Sequence, residues 1–326
     1  MTNTLKLTRT IATILRTHGL TAPHARIVAQ SICDAEARGI PSHGVRRLPN
    51  YLARLRAGAI NPTPVMRWQH THRATATLLA DHAFGQIAAA LATKRLITLA
   101  RRYGVAAVGI TQCEHVGALD TPIRTIVAAN IAGIVAVNTP VAMAPFGGQT
   151  AQLGSNPIAI GIPGHAQPLM IFDGSTASVA RGKIIAAADA GNDIPAHWAL
   201  DAAGNPTRNP QHALAGAIMP AGVLGYGIGL GIALLTGAMI GGQSDDQLPS
   251  FFAQPYQPVP TSMLMIGIDP AAFGGMDQLQ QVGEALVTRI RHSQGTPRIP
   301  GDQRMGQSVS DEALAFVESL RQHSHA

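Results

Sequence analysis

The sequence predicts an α/β fold that is not of the Rossmann type, with a helical domain at its N-terminal end. Apolar residues recur at helical spacing through the first sixty positions, and from Thr75 onward short apolar runs alternate with helical stretches. A Rossmann fold places Gly-x-Gly-x-x-Gly between a strand and a helix, where the glycines admit a pyrophosphate, and this chain has no such signature in that setting. A length of 326 residues fits two domains. The change of pattern sets them at 1–74, helical, and 75–292, α/β.

The helical part begins with Thr8 to Thr17, stopped by Gly19. Thr21 then caps a helix that carries Pro23 in its first turn and runs to about Ala37 before Gly39. After the Ser42-His43-Gly44 turn, Pro49 to Ala57 sets Tyr51, Leu52 and Leu55 at helical spacing, and Gly58 closes it. The α/β part follows with a short apolar run at Thr77 to Ala80, a helix from Gly85 to Arg102, a strand at Val105 to Ile110, a helix near Asp120 to Asn130 and a strand at Ile134 to Asn138. Thr125 to Phe172 has no Asp, Glu, Lys or Arg, so strands near Ile158–Ile162 and Leu169–Phe172 are expected to be buried. Further on come a helix over Ser178–Ala190, a turn at Asp201–Asn205, a strand at Ser262–Ile268, and helices over Gln278–His292 and Asp311–Arg321.

Composition narrows the function. Hydrophobic residues make up 46% and charged ones 13%, the mix of a packed globule rather than a disordered chain. The net charge of +6 comes from scattered basic residues, with no run dense enough for a nucleic-acid surface. Two cysteines, Cys33 and Cys113, support neither a disulfide framework nor a Cys-x-x-Cys metal site, so no metal is expected and the cytoplasm is the default compartment. No signal-peptide pattern opens the chain. Asn209 to Ser244 has no Asp, Glu, Lys or Arg and is long enough to cross a bilayer, but Pro220 and the glycines at 216, 222, 225, 227, 229 and 231 interrupt it. A buried helix in a soluble protein, not a membrane span, is the expectation, with close helix packing as the use of those glycines.

The chemistry concentrates at Ser42-His43-Gly44 with Arg47 and Tyr51. An imidazole can deliver or remove a proton near neutral pH, and a guanidinium fork matches a carboxylate in charge and shape. Each residue also has a purely structural role open to it. His43 or Ser42 can cap the turn, and Arg47 can form a surface ion pair. Tyr51, one helical turn beyond Arg47, either touches a ligand or packs beneath it.

Longer strings in a fixed order tip the balance: Arg38-Gly39-Ile40-Pro41-Ser42-His43-Gly44-Val45-Arg46-Arg47-Leu48-Pro49, Glu114-His115-Val116-Gly117, Asn138-Thr139-Pro140, Ala144-Pro145-Phe146-Gly147-Gly148, Leu153-Gly154-Ser155-Asn156-Pro157, Ala180-Arg181-Gly182-Lys183 and Gly204-Asn205-Pro206-Thr207. Together they resemble the type 2 malate/L-lactate dehydrogenases, also called sulfolactate dehydrogenase-like or ureidoglycolate dehydrogenase-like oxidoreductases, over nearly the whole chain. The resemblance implies a sulfolactate dehydrogenase-like fold in which C-terminal helices within 293–326 join the helical domain beside a mixed-sheet domain. It implies an NAD or NADP cofactor, a small carboxylate substrate and a homodimer.

By the same resemblance His43 is the proton donor to the substrate oxygen, with Ser42 beside it and Arg47 and Tyr51 on the substrate. His115 shares that role or takes it over, and Glu114 beside it is placed to set its tautomer. Cofactor contacts fall at Asn138, Thr139, Asp173, Gly174, Ser175, Gly301, Asp302, Gln303 and Arg304, although Asp173 could instead cap the following turn. The implied reaction moves hydride between NAD(P)H and C2 of a 2-oxo or 2-hydroxy acid. Reduction of a cyclic imine carboxylate, or ligand binding without catalysis, are the alternatives. Departures from the pattern motivate the last: Leu224 stands near a lysine position, Ala233 where a glutamate is frequent, Gly174 where a bulkier residue is usual, and the segment from Gly242 to Thr261 is short.

Overall fold

A computed structural model describes residues 3–251, 256–302 and 309–323. The chain opens with α1 (Asn3–Thr17), α2 (Ala22–Ala37) and α3 (Leu48–Arg56), then a hairpin of β1 (Arg67–Gln69) and β2 (Thr75–Leu79). Next come α4 (Gly85–Tyr103), β3 (Val105–Cys113), α5 (Asp120–Ala128), β4 (Ala132–Val137), β5 (Val141–Met143), β6 (Leu153–Gly154), β7 (Ile158–Ile162) and β8 (Met170–Gly174). The remainder is α6 (Arg181–Asp189), β9 (Ala199–Leu200), α7 (Pro210–Ala215), β10 (Ala217–Ile218), α8 (Gly222–Ala233), β11 (Thr261–Ile268), α9 (Gly275–Arg291) and α10 (Asp311–His323).

Local chemistry sets the helical layer. The Thr21 hydroxyl accepts from the His24 amide at the start of α2 with Pro23 in its first turn, as the sequence predicts. Leu7, Ile11 and Ile14 of α1, Val28 and Ile32 of α2, Leu48, Tyr51 and Leu52 of α3 and Val317 of α10 form one buried cluster. Phe84 and Ile87, where α4 begins, are buried in the same cluster and weld this layer to the α/β part.

The main sheet, among the described residues, has the order β1-β2-β3-β11-β4-β7-β8. Only β2 and β3 pair in parallel; the other neighbours run antiparallel. That mixed order confirms the non-Rossmann architecture. Helices α4 and α5 cover one face, where Leu96, Ile123 and Ile126 meet Val108, Ile110, Val135 and Met265. The strands β7 and β8, expected to be buried, are buried only in part. Their burial alternates: Ala159 and Gly161 lie under α5, while Phe172 is exposed.

A second sheet, β6-β5-β10-β9, packs Met143, Ala199 and Ile218 against Ile184 of α6. The apolar stretch after Asn209 breaks up into α7, β10 and α8, and the expected buried helix is corrected: α8 and its π-helical continuation, Leu234–Met239, lie on the surface. Leu224 is 72% exposed and Met239 61%. The glycines explain how the helix is seated. Gly225 and Gly229 approach Thr176 so closely that a Cβ would collide, whereas Gly227 and Gly231 face open space. By length and composition Gly222–Met239 could cross a membrane, with 28% of that stretch buried.

Candidate active site

The turn between α2 and α3 carries the predicted chemistry, and the reason it holds its shape lies in Glu36. Its carboxylate accepts from the Val45 amide (3.0 Å) and lies where any side chain on Gly44 would have to go. Glycine at 44 therefore follows from close approach, not from a positive φ. The turn presents Ser42 and His43, with the Ser42 hydroxyl 3.0 Å from His43 Nδ1. Across the gap, α6 brings Gly182 against the Ser42 side chain.

His115 lies just past the end of β3 and enters this group from the main sheet. Its Nε2 lies 2.6 Å from Arg47 Nη2 and its Nδ1 lies 2.7 Å from the Tyr51 hydroxyl. The His43 and His115 rings stack with centroids 5.6 Å apart and an interplanar angle of 22°. Phe251 closes the far side of His115 edge-on at 5.1 Å. Ser42, His43, Arg47, Tyr51 and His115 are thus brought together. Tyr51 is buried, receives a hydrogen bond from Gln86 (3.0 Å) and packs beneath the imidazole. Burial, the nearby Arg47 and His43, and Arg54 behind them hold the His115 pKa well below its usual value. Burial also lowers Arg47 and raises Tyr51.

Glu114 does not set the His115 tautomer, as its position in sequence suggested. Successive residues at a strand end point to opposite sides, and the Glu114 carboxylate turns inward to accept from Arg54, the Val259 amide (2.9 Å) and His82 Nδ1 (3.2 Å). Arg54 and Glu114 are both fully buried, and the Arg54 guanidinium sits 5.6 Å from the centroid of Phe251. An imidazole, a guanidinium and a phenol backed by a buried ion pair make a site able to hold an organic anion and exchange a proton with it.

A family model described as malate/L-lactate dehydrogenase matches residues 3–314. The chain belongs to this family. It is 34% identical over 308 residues to the (2R)-3-sulfolactate dehydrogenase (NADP(+)) of Chromohalobacter salexigens, covering 90% of this chain and 91% of that protein. To the ureidoglycolate dehydrogenase (NAD(+)) of Escherichia coli K12 it is 35% identical over 265 residues, 81% of this chain and 75% of that one. Among solved structures, the Δ1-piperideine-2-carboxylate reductase of Pseudomonas syringae pv. tomato superposes with a TM-score of 0.89 at 28% identity, over 98% of this chain and 99% of that one.

The residues expected to meet the family's cofactor fall into two places. Asn138 is buried and its amide is spent on backbone, donating to Gln243 O (2.8 Å) and accepting from Ser262 N (2.7 Å). Thr139 N donates to Asn156 Oδ1 (3.0 Å), and Asn156 Nδ2 donates to Gly229 O and Asp245. Asp173 accepts from the Asp120 amide (3.0 Å) at the first turn of α5. The Ser175 hydroxyl donates to Ser155 O (3.2 Å). With Gly174 in β8, these residues form a braced shelf that continues toward α8 through the contact of Thr176 with Gly225.

Gly301 and Asp302 lie elsewhere, on the rim of a cavity of ≈ 300 Å³ that Arg124, Gln167, Thr288 and Arg291 also line. Gln303 and Arg304 lie outside the described residues. Arg124 Nη2 is buried there without a hydrogen-bond partner among the described residues, and Arg291 donates to Asp302 (2.7 Å). An unspent guanidinium donor beside a glycine-containing loop suits a phosphate or sugar oxygen, so the residues present fit one end of a dinucleotide.

Sequence reasoning missed Arg54, Gln86, Asp120 and Asp245. Arg54 had a signal: 47, 51 and 54 follow one helical face. Asp120 had none. It is fully buried between Arg38 (2.8 Å) and Arg124 (2.9 Å), tying the end of α2 to α5. Asp245 accepts from Gly154 N and Asn156 Nδ2 (both 2.8 Å), and burial raises its pKa against those hydrogen bonds.

Proposed function

We propose that the protein is an NAD(P)-dependent oxidoreductase that moves hydride between the nicotinamide and C2 of a small 2-oxo or 2-hydroxy acid. The observation that carries this reading is the convergence of Ser42, His43, Arg47 and Tyr51 from one turn and helix with His115 from the sheet. Nicotinamide, when bound, supplies or accepts the hydride at C2. The chain's own residues do the rest. Arg47 grips the carboxylate with its planar fork, which fixes the acid in one orientation. Ser42 occupies Nδ1 of His43, which gives Nε2 the task of protonating the oxygen as negative charge develops on it. Tyr51 and Gln86 hold the floor of the site. Backbone and side-chain groups at Thr139, Asp173, Gly174 and Ser175 hold the cofactor near the chemistry, with Gly301 and Asp302 toward its other end.

The same clamp and proton donor suit a cyclic imine carboxylate, and the close structural likeness to a piperideine-2-carboxylate reductase keeps that substrate class as the second reading. Ligand binding without catalysis is the third, motivated by Leu224, which offers no cation to a phosphate from the first turn of α8. The reading includes a cytoplasmic homodimer. The outward apolar side of α8, with Val223, Leu224, Leu234 and Met239 exposed, supports a second copy as the surface that covers it.

The test is loss of reduced-nicotinamide absorbance with NADH and NADPH against a panel of 2-oxo acids and cyclic imines, with His43→Ala alongside. Turnover of at least one acid or imine is expected, with kcat reduced on the order of 10²–10⁴-fold by the substitution. Unchanged turnover in His43→Ala would remove His43 from the mechanism. Cofactor binding with no turnover across the panel would favour the ligand-binding reading.

A further inference from the structure

The cavity that Gly301 and Asp302 border is joined to the cofactor shelf by a single strand. β8 ends the main sheet, and there the Ile171 amide donates to Pro300 O (2.9 Å). Gly301, at φ +103°, lies so close to Ile171 that a Cβ would stand 3.0 Å from its carbonyl oxygen, so glycine lets the loop lie flat on the strand. Ile171 lines the cavity and Gly174 belongs to the shelf, three residues and roughly 10 Å further along the extended chain. Cavity and shelf are thus two stations on one strand, one for each half of a dinucleotide.

The charges around the cavity decide what it can hold. Leu169, Val287 and Pro300 give apolar walls for a flat base. Four charged side chains line it: Arg124, Arg291, Glu284 and Asp302. Arg124 donates to Asp120 (2.9 Å), which also accepts from Arg38, and Arg38 pairs in turn with Asp34 (3.7 Å). Arg291 donates to Asp302 Oδ1 (2.7 Å), and the Ile299 amide donates to Oδ2 (3.2 Å). Among the described residues, the guanidiniums of Arg38, Arg124 and Arg291 are therefore matched by the carboxylates of Asp34, Asp120 and Asp302, and Glu284 is negative charge in excess.

We propose that this cavity takes the adenosine end of the cofactor, with the ribose 2′,3′-diol donating to Asp302, and that the enzyme consequently prefers NAD to NADP. The proposal rests on the NAD(P) reading given above. Each Asp302 oxygen uses one lone pair on Arg291 or Ile299 and keeps a second, so the carboxylate can accept both hydroxyls without moving. Arg124 Nη2, without a hydrogen-bond partner among the described residues, donates to a neutral acceptor, a base nitrogen or the ribose ring oxygen. A 2′-phosphate would bring about 1.5 to 2 negative charges to the same place. It would face Asp302 and Glu284, and it could recruit Arg291 only by taking that guanidinium from Asp302.

The experiment is titration of the purified enzyme with NADH and with NADPH at low salt and without substrate, read by the fluorescence change of the reduced nicotinamide. NADH is expected to bind at least about 10-fold more tightly, the worth of one hydrogen bond to a charged group. 5′-AMP is expected to displace NADH at lower concentration than 2′,5′-ADP, the same fragment with the 2′-phosphate added, which assigns the discrimination to the adenosine end. In Asp302→Asn the preference is expected to fall to about 3-fold or less, because the diol loses a charged acceptor and Arg291 is released toward a 2′-phosphate. NADPH bound as tightly as NADH, 2′,5′-ADP as the better competitor, or an unchanged preference in Asp302→Asn each overturns the proposal. Should Asp302→Asn not fold, Glu284→Gln, an exposed change on α9, decides. There NADPH must bind about 2–3-fold more tightly at low salt with NADH unmoved, and an unmoved NADPH overturns the proposal. Failure of both reduced cofactors to bind the wild type would instead refute the NAD(P) reading, and this inference with it.

Discussion

Replacing Glu114 by alanine tests whether the site is braced from behind as the structure indicates. The carboxylate is fully buried and faces the guanidinium of Arg54, itself fully buried, while also accepting from the Val259 amide. Taking away one member of a buried ion pair costs about 3–5 kcal/mol, because the remaining charge keeps its desolvation penalty and loses its attraction. The Val259 amide loses its acceptor as well, at about 1–3 kcal/mol where no water replaces it. These costs overlap, so the expected destabilisation is about 4 kcal/mol. Replacing both partners, Arg54→Met with Glu114→Leu, removes the charges together and is expected to recover at least about 2 kcal/mol of that loss. Urea unfolding followed by tryptophan fluorescence and by far-ultraviolet circular dichroism reads both effects. A loss below about 1 kcal/mol in Glu114→Ala, or a double variant as unstable as the sum of the single ones, would refute the reasoning.

Two further outcomes follow from neighbouring residues. The pKa of His115 is depressed in the folded, ligand-free protein, so the unfolded chain binds more protons below its ordinary value of 6.5. Its contribution is therefore present above pH 6.5 and lost as pH falls toward the lowered folded value, at up to about 1.4 kcal/mol per pH unit. Urea midpoints at pH 7 and 5.5 should converge in His115→Asn relative to the wild type; an unchanged difference would contradict the shift. Leu224, exposed in the first turn of α8 one residue from the Gly225–Thr176 contact, lies next to the shelf assigned to the cofactor. Leu224→Lys is expected to lower the KM for the reduced cofactor by roughly 3–10-fold at low salt, an advantage that shrinks as salt is added. An equal KM at every ionic strength would separate this position from the cofactor.

What could be read from sequence was local. Thr21 and Pro23 fix the start of α2 whatever the rest of the chain does, and Arg47 and Tyr51 share a helix face by spacing alone. The family resemblance supplied His115, which no spacing argument could bring 72 residues back along the chain to His43. Composition misled where it was averaged over a long stretch. The charge-free run after Asn209 suggested a buried helix, yet in α8 Gly225, Gly229 and Ile232 are drawn inward while Val223, Leu224 and Ile228 face out. The two-residue strands of the second sheet are too short to carry a periodic pattern. The inward turn of Glu114 depended on Arg54 and Val259, which converge on it only in the folded chain.

The most direct test of the account is a structure of the enzyme crystallised with reduced cofactor and oxamate. The account predicts Arg47 forked onto the carboxylate and His43 Nε2 within about 3.2 Å of the C2 oxygen, on the side opposite the nicotinamide hydride. A complex in which His43 is walled off from both molecules, out of hydrogen-bonding reach of that oxygen, would contradict it.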